Sequence, residues 1–209
     1  MLAQIVLFDG FDPLDVIAPY EVLHAGGMFS GGAITAELVS AQGAREVPAG
    51  LDLLTLRAHA ALDPQRADLV VVPGAAGRVT EDTEIPAILA RALQTGLSDL
   101  LAASLADPTV TVATVCGGSL LLAMAGLITG RPATTHHMGL AQLGESGSIA
   151  IDARIVDDGD LISAGGVTSG LDLGLYLVER AAGPSVALAV EQLMEHQRRG
   201  TVWRAGVPA

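Results

Sequence analysis

The sequence predicts an α/β fold in which a mostly parallel sheet is covered by helices on both faces. Three observations carry this expectation. Short continuous apolar runs, Asp68–Val72 (DLVVV) and Val110–Val115 (VTVATV), have the length and β-branched content of strands buried on both sides. Such runs alternate along the chain with segments of helical spacing. Of the 209 residues, 50% are hydrophobic but only 3% aromatic, and 25 are glycine, a composition suited to aliphatic helices packed closely on a sheet.

The elements run in order from the N-terminus. Ala3–Phe8 (AQIVLF) reads as a buried strand stopped at Asp9-Gly10. Asp12 is a good N-cap, and Pro13 suits the first helical position, where its missing N–H costs nothing. Asp15 stands three residues after the cap, as in a capping box. Val16, Tyr20 and Leu23 make one apolar face, and Gly26-Gly27 is expected to end this helix. Ile34–Ala41 alternates as a second strand. Val47-Pro48 then reads as a turn before a short strand at Gly50–Leu56. Pro73-Gly74 stops the strand Asp68–Val72, and Ile85–Leu105 has helical spacing with a weak point at Gly96. Val110–Val115 runs into Cys116-Gly117-Gly118 and a helix from Ser119 to about Leu127. Ser148–Ser163 reads as a hairpin turning at Asp158-Gly159. Leu171–Ala181 and Ser185–His196 close the chain as helices parted by Gly183-Pro184. With no repeat, low-complexity tract or linker, residues 1–209 are expected to form one domain.

Charge excludes several functions. Eleven Lys and Arg stand against 23 Asp and Glu, a net charge of −12, which disfavours binding to nucleic acid or to anionic membranes. The single cysteine cannot form an internal disulfide. The first residues carry no basic signal-peptide region, and the apolar runs are interrupted well short of the ~18–20 residues of a membrane span. The expectation is a cytoplasmic protein with a small-molecule partner.

In an open parallel sheet, ligands bind beyond the carboxyl ends of the strands. Three segments converge there: Asp9-Gly10 to Asp15, Pro73-Gly74-Ala75, and Cys116-Gly117-Gly118. Cys116 sits on a tight strand-to-helix turn with glycines after it, the geometry of a nucleophile elbow. A sulfur at a helix start feels the positive end of the helix dipole, which favours thiolate. A lone cysteine is otherwise commonly a buried apolar residue; its place between strand and Gly-Gly favours the reactive reading. Two readings of Asp15 stand side by side: an acid serving the helix dipole, or one whose apolar setting raises its pKa toward acid/base use. Of the five histidines, none adjoins Cys116; His136 and His137 come after a possible short strand and favour a surface or satisfied core role over a catalytic one. Adjacent on a strand, they point to opposite sides and do not make a metal pair. Backbone N–H groups of the Gly74-Ala75 turn and of Gly117 could form an anion hole. Ile17 and Tyr20, near Asp15, and His136 are candidate pocket residues. No metal or cofactor is expected.

VVVPGAAG, ATVCGGSLLLAMAGLITGRPATTHH, DPLDVIAPYEVL and GGVTSGLDLGLYLVER together resemble the PfpI/ThiJ superfamily of class I glutamine-amidotransferase-like proteins, most closely its isonitrile hydratase-like branch. The resemblance runs from about Ala3 to His196. It implies a flavodoxin-like three-layer sandwich, a homodimer, Cys116 as elbow nucleophile, Asp15 as its acidic partner, and oxyanion donors at Gly74, Ala75 and Gly117. It implies hydration of an isonitrile to an N-substituted formamide through a thioimidate on Cys116, with a glyoxalase- or deglycase-like enzyme acting on α-oxoaldehydes, or a cysteine redox sensor, as alternatives. Two departures stand out. Gly117 occupies the position of a Thr common in isonitrile hydratases and of a His in the protease-like branch, and Ala75 replaces the second glycine of the Pro-Gly-Gly turn. A related branch carries an AraC-type DNA-binding region after this domain; the ten residues after Arg199 are too few for one.

Overall fold

The apolar runs assemble, in a computed structural model, into one eight-stranded sheet flanked by helices; the structure describes residues 1–77 and 84–205. The strands are β1 (Leu2–Val6), β2 (Thr35–Ser40), β3 (Arg45–Pro48), β4 (Thr55–Ala58), β5 (Ala60–Ala61), β6 (Leu69–Val72), β7 (Thr111–Val115), β8 (Pro132–Ala133), β9 (Ile149–Ala150), β10 (Ile155–Asp157), β11 (Leu161–Ala164) and β12 (Trp203–Arg204). The helices are α1 (Pro13–Phe29), α2 (Glu84–Ala92), α3 (Ser98–Ala106), α4 (Gly118–Met124), α5 (Leu140–Glu145), α6 (Ser169–Ala182) and α7 (Pro184–Met194). The main sheet runs β12-β10-β11-β7-β6-β1-β2-β5, and every pairing in it is parallel except β10 with β11. All four residues of β6 are buried, as a strand covered on both faces requires. One helical layer is α1, α6 and α7, which pack on one another; α2, α3 and α4 belong to the other layer. No helix among the described residues is long and apolar enough to cross a membrane.

The structure corrects four local readings. First, α1 does not stop at Gly26-Gly27 but continues to Phe29. These glycines serve close packing: a Cβ at Gly27 would lie 2.2 Å from the Ile34 carbonyl oxygen, and one at Gly26 2.6 Å from a Val178 methyl. Second, Val47-Pro48 is strand rather than turn; β3 pairs antiparallel with β4, and residues 49–54 make the turn. Third, Ile149–Ala150 leaves the predicted hairpin to pair in parallel with β8, so that only β10 and β11 form it, turning at Asp158-Gly159. Fourth, the two-residue edge strands β5 and β12, too short to show a period, complete the sheet. Gly96 does break the helix, with φ +84 inside a π-helical turn at Leu93–Leu97 between α2 and α3.

The contact between α1 and α6 fixes where the start of each helix sits against the end of β7. Gly170 and Gly174, one turn apart on α6, face Pro19 and Val22 of α1. A Cβ at Gly174 would stand 2.8 Å from the Val22 Cβ, so the backbones meet at a distance only glycine permits.

Candidate active site

β7 ends at Cys116, whose φ of +54 lies in the left-handed region that non-glycine residues rarely adopt. The surroundings hold it there. The Cys116 N–H donates to the carbonyls of Ala164 (3.1 Å) and Gly165 (2.9 Å), and its own carbonyl accepts the Thr135 hydroxyl at 2.7 Å. α4 starts two residues later, at Gly118, where a Cβ would stand 2.2 Å from the Val72 carbonyl oxygen. The chain therefore makes the sharp turn read from the sequence, and it needs glycine to do so.

Asp15, on the first turn of α1, points inward beneath this turn and is fully buried. Its Oδ2 accepts the Gly74 N–H at 2.9 Å, whereas its Oδ1 has no partner among the described residues. The Cys116 thiol is a near neighbour of this carboxyl, close enough for each group to shift the other's pKa. Burial pushes the Asp15 pKa up to about 8, with help from the nearby Asp12 charge; the Gly74 N–H and the thiol oppose the shift. Burial likewise pushes Cys116 up to about 12, and the adjacent Asp15 charge adds to the effect; the Val167 and Gly117 N–H groups facing the sulfur pull the other way. The thiolate expected from the helix start is thus not the resting form. Desolvation outweighs the few N–H dipoles of a short helix.

The two groups titrate as a pair, since two adjacent buried anions repel. Losing one proton leaves a single negative charge that a proton shift can place on oxygen or on sulfur. Such a pair can deliver a proton while it forms a bond to sulfur.

The remaining predicted residues divide. Ala75 and Gly117 lie beside Cys116 with backbone N–H groups available to the cavity, and a Cβ built on Gly117 would be 3.8 Å from the Ala75 nitrogen. Gly74 is not an anion donor, because its N–H is already given to Asp15. It matters for a different reason: a Cβ there would lie 2.5 Å from the Gly117 nitrogen. His136 lines the same cavity as Cys116. Ile17 and Tyr20 do not: at about 100° per residue they are turned roughly 200° and 140° from Asp15, onto the outer face of α1, where Tyr20 stacks on His24.

The cavity above Cys116 has a volume of about 380 Å³. Leu89, Leu120, Met124 and Met138 give it a mainly apolar wall, with Asp12, His136 and Gln142 as polar side chains. His136 Nδ1 accepts the Met138 N–H at 3.3 Å, which leaves the proton of the neutral ring on Nε2. Burial and the neighbouring His137 lower its pKa and keep the ring neutral. The ring lies on Gly166, where a Cβ would stand 2.4 Å from Cδ2. Sequence reasoning missed Val167, which turns its N–H to the sulfur with φ +46. Nothing in a valine signals that conformation. Among the described residues no group of three or more His, Cys, Asp or Glu side chains is arranged to hold a metal ion.

Comparison with known proteins places the chain's fold and family. The profile of the DJ-1/PfpI family matches residues 1–180. The isonitrile hydratase of Pseudomonas putida is 40% identical over 85 residues, 41% of this chain and 37% of that one, so the chain matches little more than a third of the enzyme's length. A crystal structure of a ThiJ/PfpI family protein from Pseudomonas syringae superposes with a TM-score of 0.74 at 26% identity, covering 99% of this chain and 78% of that one. DJ-1beta of Drosophila melanogaster shares the fold, with a TM-score of 0.76 at 20% identity over 94% of this chain and 98% of that one.

Proposed function

The chain belongs to the DJ-1/PfpI family, and on that premise we propose that it is a cysteine-dependent hydratase converting isonitriles into N-substituted formamides. The observation that carries this reading is the fully buried, charge-unpaired Asp15 carboxyl neighbouring the Cys116 thiol, which lines a mainly apolar cavity. An isonitrile presents a small terminal carbon on an organic substituent; Leu89, Leu120, Met124 and Met138 suit an apolar one.

In the first step sulfur bonds to the terminal carbon while the thiol proton passes through Asp15 to that same carbon, giving a thioimidate. Water then adds to the thioimidate carbon, and the tetrahedral intermediate collapses with loss of the cysteine sulfur. The nitrogen keeps one proton, the oxygen becomes the formamide carbonyl, and the thiol is regenerated. The Ala75 and Gly117 N–H groups, from two residues that line the cavity, would stabilise charge during this collapse. The reading includes a cytoplasmic homodimer, for which exposed Leu14, Met28 and Phe29 of α1 offer an apolar surface.

A glyoxalase- or deglycase-like reaction on α-oxoaldehydes is the second reading, supported by the His136 Nε2–H in the cavity, a donor suited to a carbonyl oxygen. A redox sensor needs the thiolate, the form that attacks peroxide, and the raised thiol pKa disfavours it as the resting form. The test is formamide appearance from an alkyl isonitrile, with methylglyoxal in parallel. Wild type should turn over the isonitrile and Cys116→Ala should not. Turnover retained in Cys116→Ala, or no reaction of the wild type with isonitrile, overturns the reading.

A further inference from the structure

A second cavity, of about 290 Å³, lies behind the first, and His136 and Val167 belong to the walls of both. Its character is opposite. It is lined by Thr134, Arg154, Ser169 and the Gly165-Gly166 backbone, and its contents have no part in the reaction at Cys116. Ser169 is only 2% exposed and lines the cavity; its hydroxyl bonds no protein group among the described residues and keeps a little accessible surface. A hydroxyl with no protein partner at a cavity wall takes its hydrogen bond from whatever fills the space it faces.

Arg154 supplies the charge. Its Nε donates to Asp172 and one Nη2 hydrogen to the Thr168 hydroxyl at 3.3 Å, which leaves its Nη1 hydrogens without a protein acceptor among the described residues. Asp172 also accepts the His196 ring and the Arg199 N–H, so the guanidinium is anchored from behind and pre-oriented. A planar guanidinium edge and a hydroxyl lining one cavity can take a carboxylate, one oxygen to each. Asp152, exposed in the same lining, disfavours a doubly charged ligand.

We propose that this cavity is a binding site for a small monocarboxylate, held by the free edge of Arg154 and the Ser169 hydroxyl. Its occupant would touch the far side of Val167, whose N–H meets the Cys116 sulfur. The site stands independently of the reaction assigned to Cys116. Its test needs no turnover. The ¹⁵N-labelled protein is titrated with acetate, and with chloride at equal ionic strength, while amide shifts are tracked. Acetate should move the Gly165, Gly166 and Ser169 amides saturably, and chloride should not. Ser169→Ala removes a hydroxyl that no protein group uses, so the fold is preserved, and it should weaken acetate binding about tenfold. Arg154→Lys keeps a charge for Asp172 but loses the planar fork, and it should weaken binding at least as much. Shifts that chloride reproduces, the absence of saturation, or an acetate affinity unchanged in Ser169→Ala overturns the proposal.

Discussion

Asp15 and Asp172 occupy matching places in α1 and α6, two helices that pack against each other, and they are 0% and 1% exposed. Their surroundings differ. Asp172 has Arg154, His196 and the Arg199 N–H as partners, and its charge is answered on both oxygens. Asp15 has one backbone N–H, an orphan oxygen and a thiol, with no cation beside it. The paired aspartate fastens the C-terminal segment to the sheet layers. The unpaired one is driven to a pKa of about 8, near the pH at which it can both take and give a proton. Burial alone therefore does not mark a reactive carboxylate; burial without a counter-charge does.

Exchanging each for asparagine should separate the two roles. Asp15→Asn keeps an acceptor for the Gly74 N–H but removes the proton carrier, and kcat/KM should fall by about 10²–10⁴-fold with the fold intact. Asp172→Asn leaves Arg154 without its anion. Because Arg154 is partly exposed, the loss should be near the lower end for a broken buried pair, about 3 kcal/mol by urea unfolding.

A pH series sharpens the contrast further. The Asp15 carboxyl holds its proton more tightly in the folded chain than in the unfolded one, so the native state binds more protons between about pH 4 and pH 8. Its contribution to stability is thus fully present below about pH 4 and is lost as pH rises to about 8. Wild type should lose on the order of a few kcal/mol across that window relative to Asp15→Asn, read as diverging thermal midpoints. Activity should run the opposite way. The reactive form of the pair is singly ionised, so kcat/KM should climb as pH passes through about 8.

The smallest effects concern the glycines that surround the acid. Gly74→Ala forces a methyl to within 2.5 Å of the Gly117 nitrogen and displaces the N–H that orients Asp15; a cost of about 1–3 kcal/mol is expected in chemical denaturation. Gly117→Ala meets nothing closer than 3.5 Å, at a φ of −68, and should change stability by less than about 1 kcal/mol. That pair of results would assign Gly74 to support and leave the character of position 117 to the substrate.

Much of this was legible in the sequence where local signals and tertiary placement agree. VTVATV before Cys-Gly-Gly could hardly fold other than as a strand meeting a helix, and Asp12-Pro13 set the helix start that turns Asp15 inward. Three things were not legible, each because it depends on a neighbour remote in sequence. The ionisation of Cys116 was misread because the local helix dipole is visible in sequence while desolvation is not. The role of Gly74 changed because its N–H finds Asp15 across 59 positions. Gly26-Gly27 looked like a helix stop because sequence does not show Ile34 and Val178 pressing on that surface.

The glycine seam between α1 and α6 has a mechanical consequence. One helix carries Asp15 at its start, and the other is entered through Val167, whose N–H faces the same sulfur. With Val22 seated on Gly174 there is no slack between them, so a shift of one helix start is passed to the other. A side chain wedged in at position 174 would spread the two helices and shift their starts around Cys116, without touching any residue of the cavity.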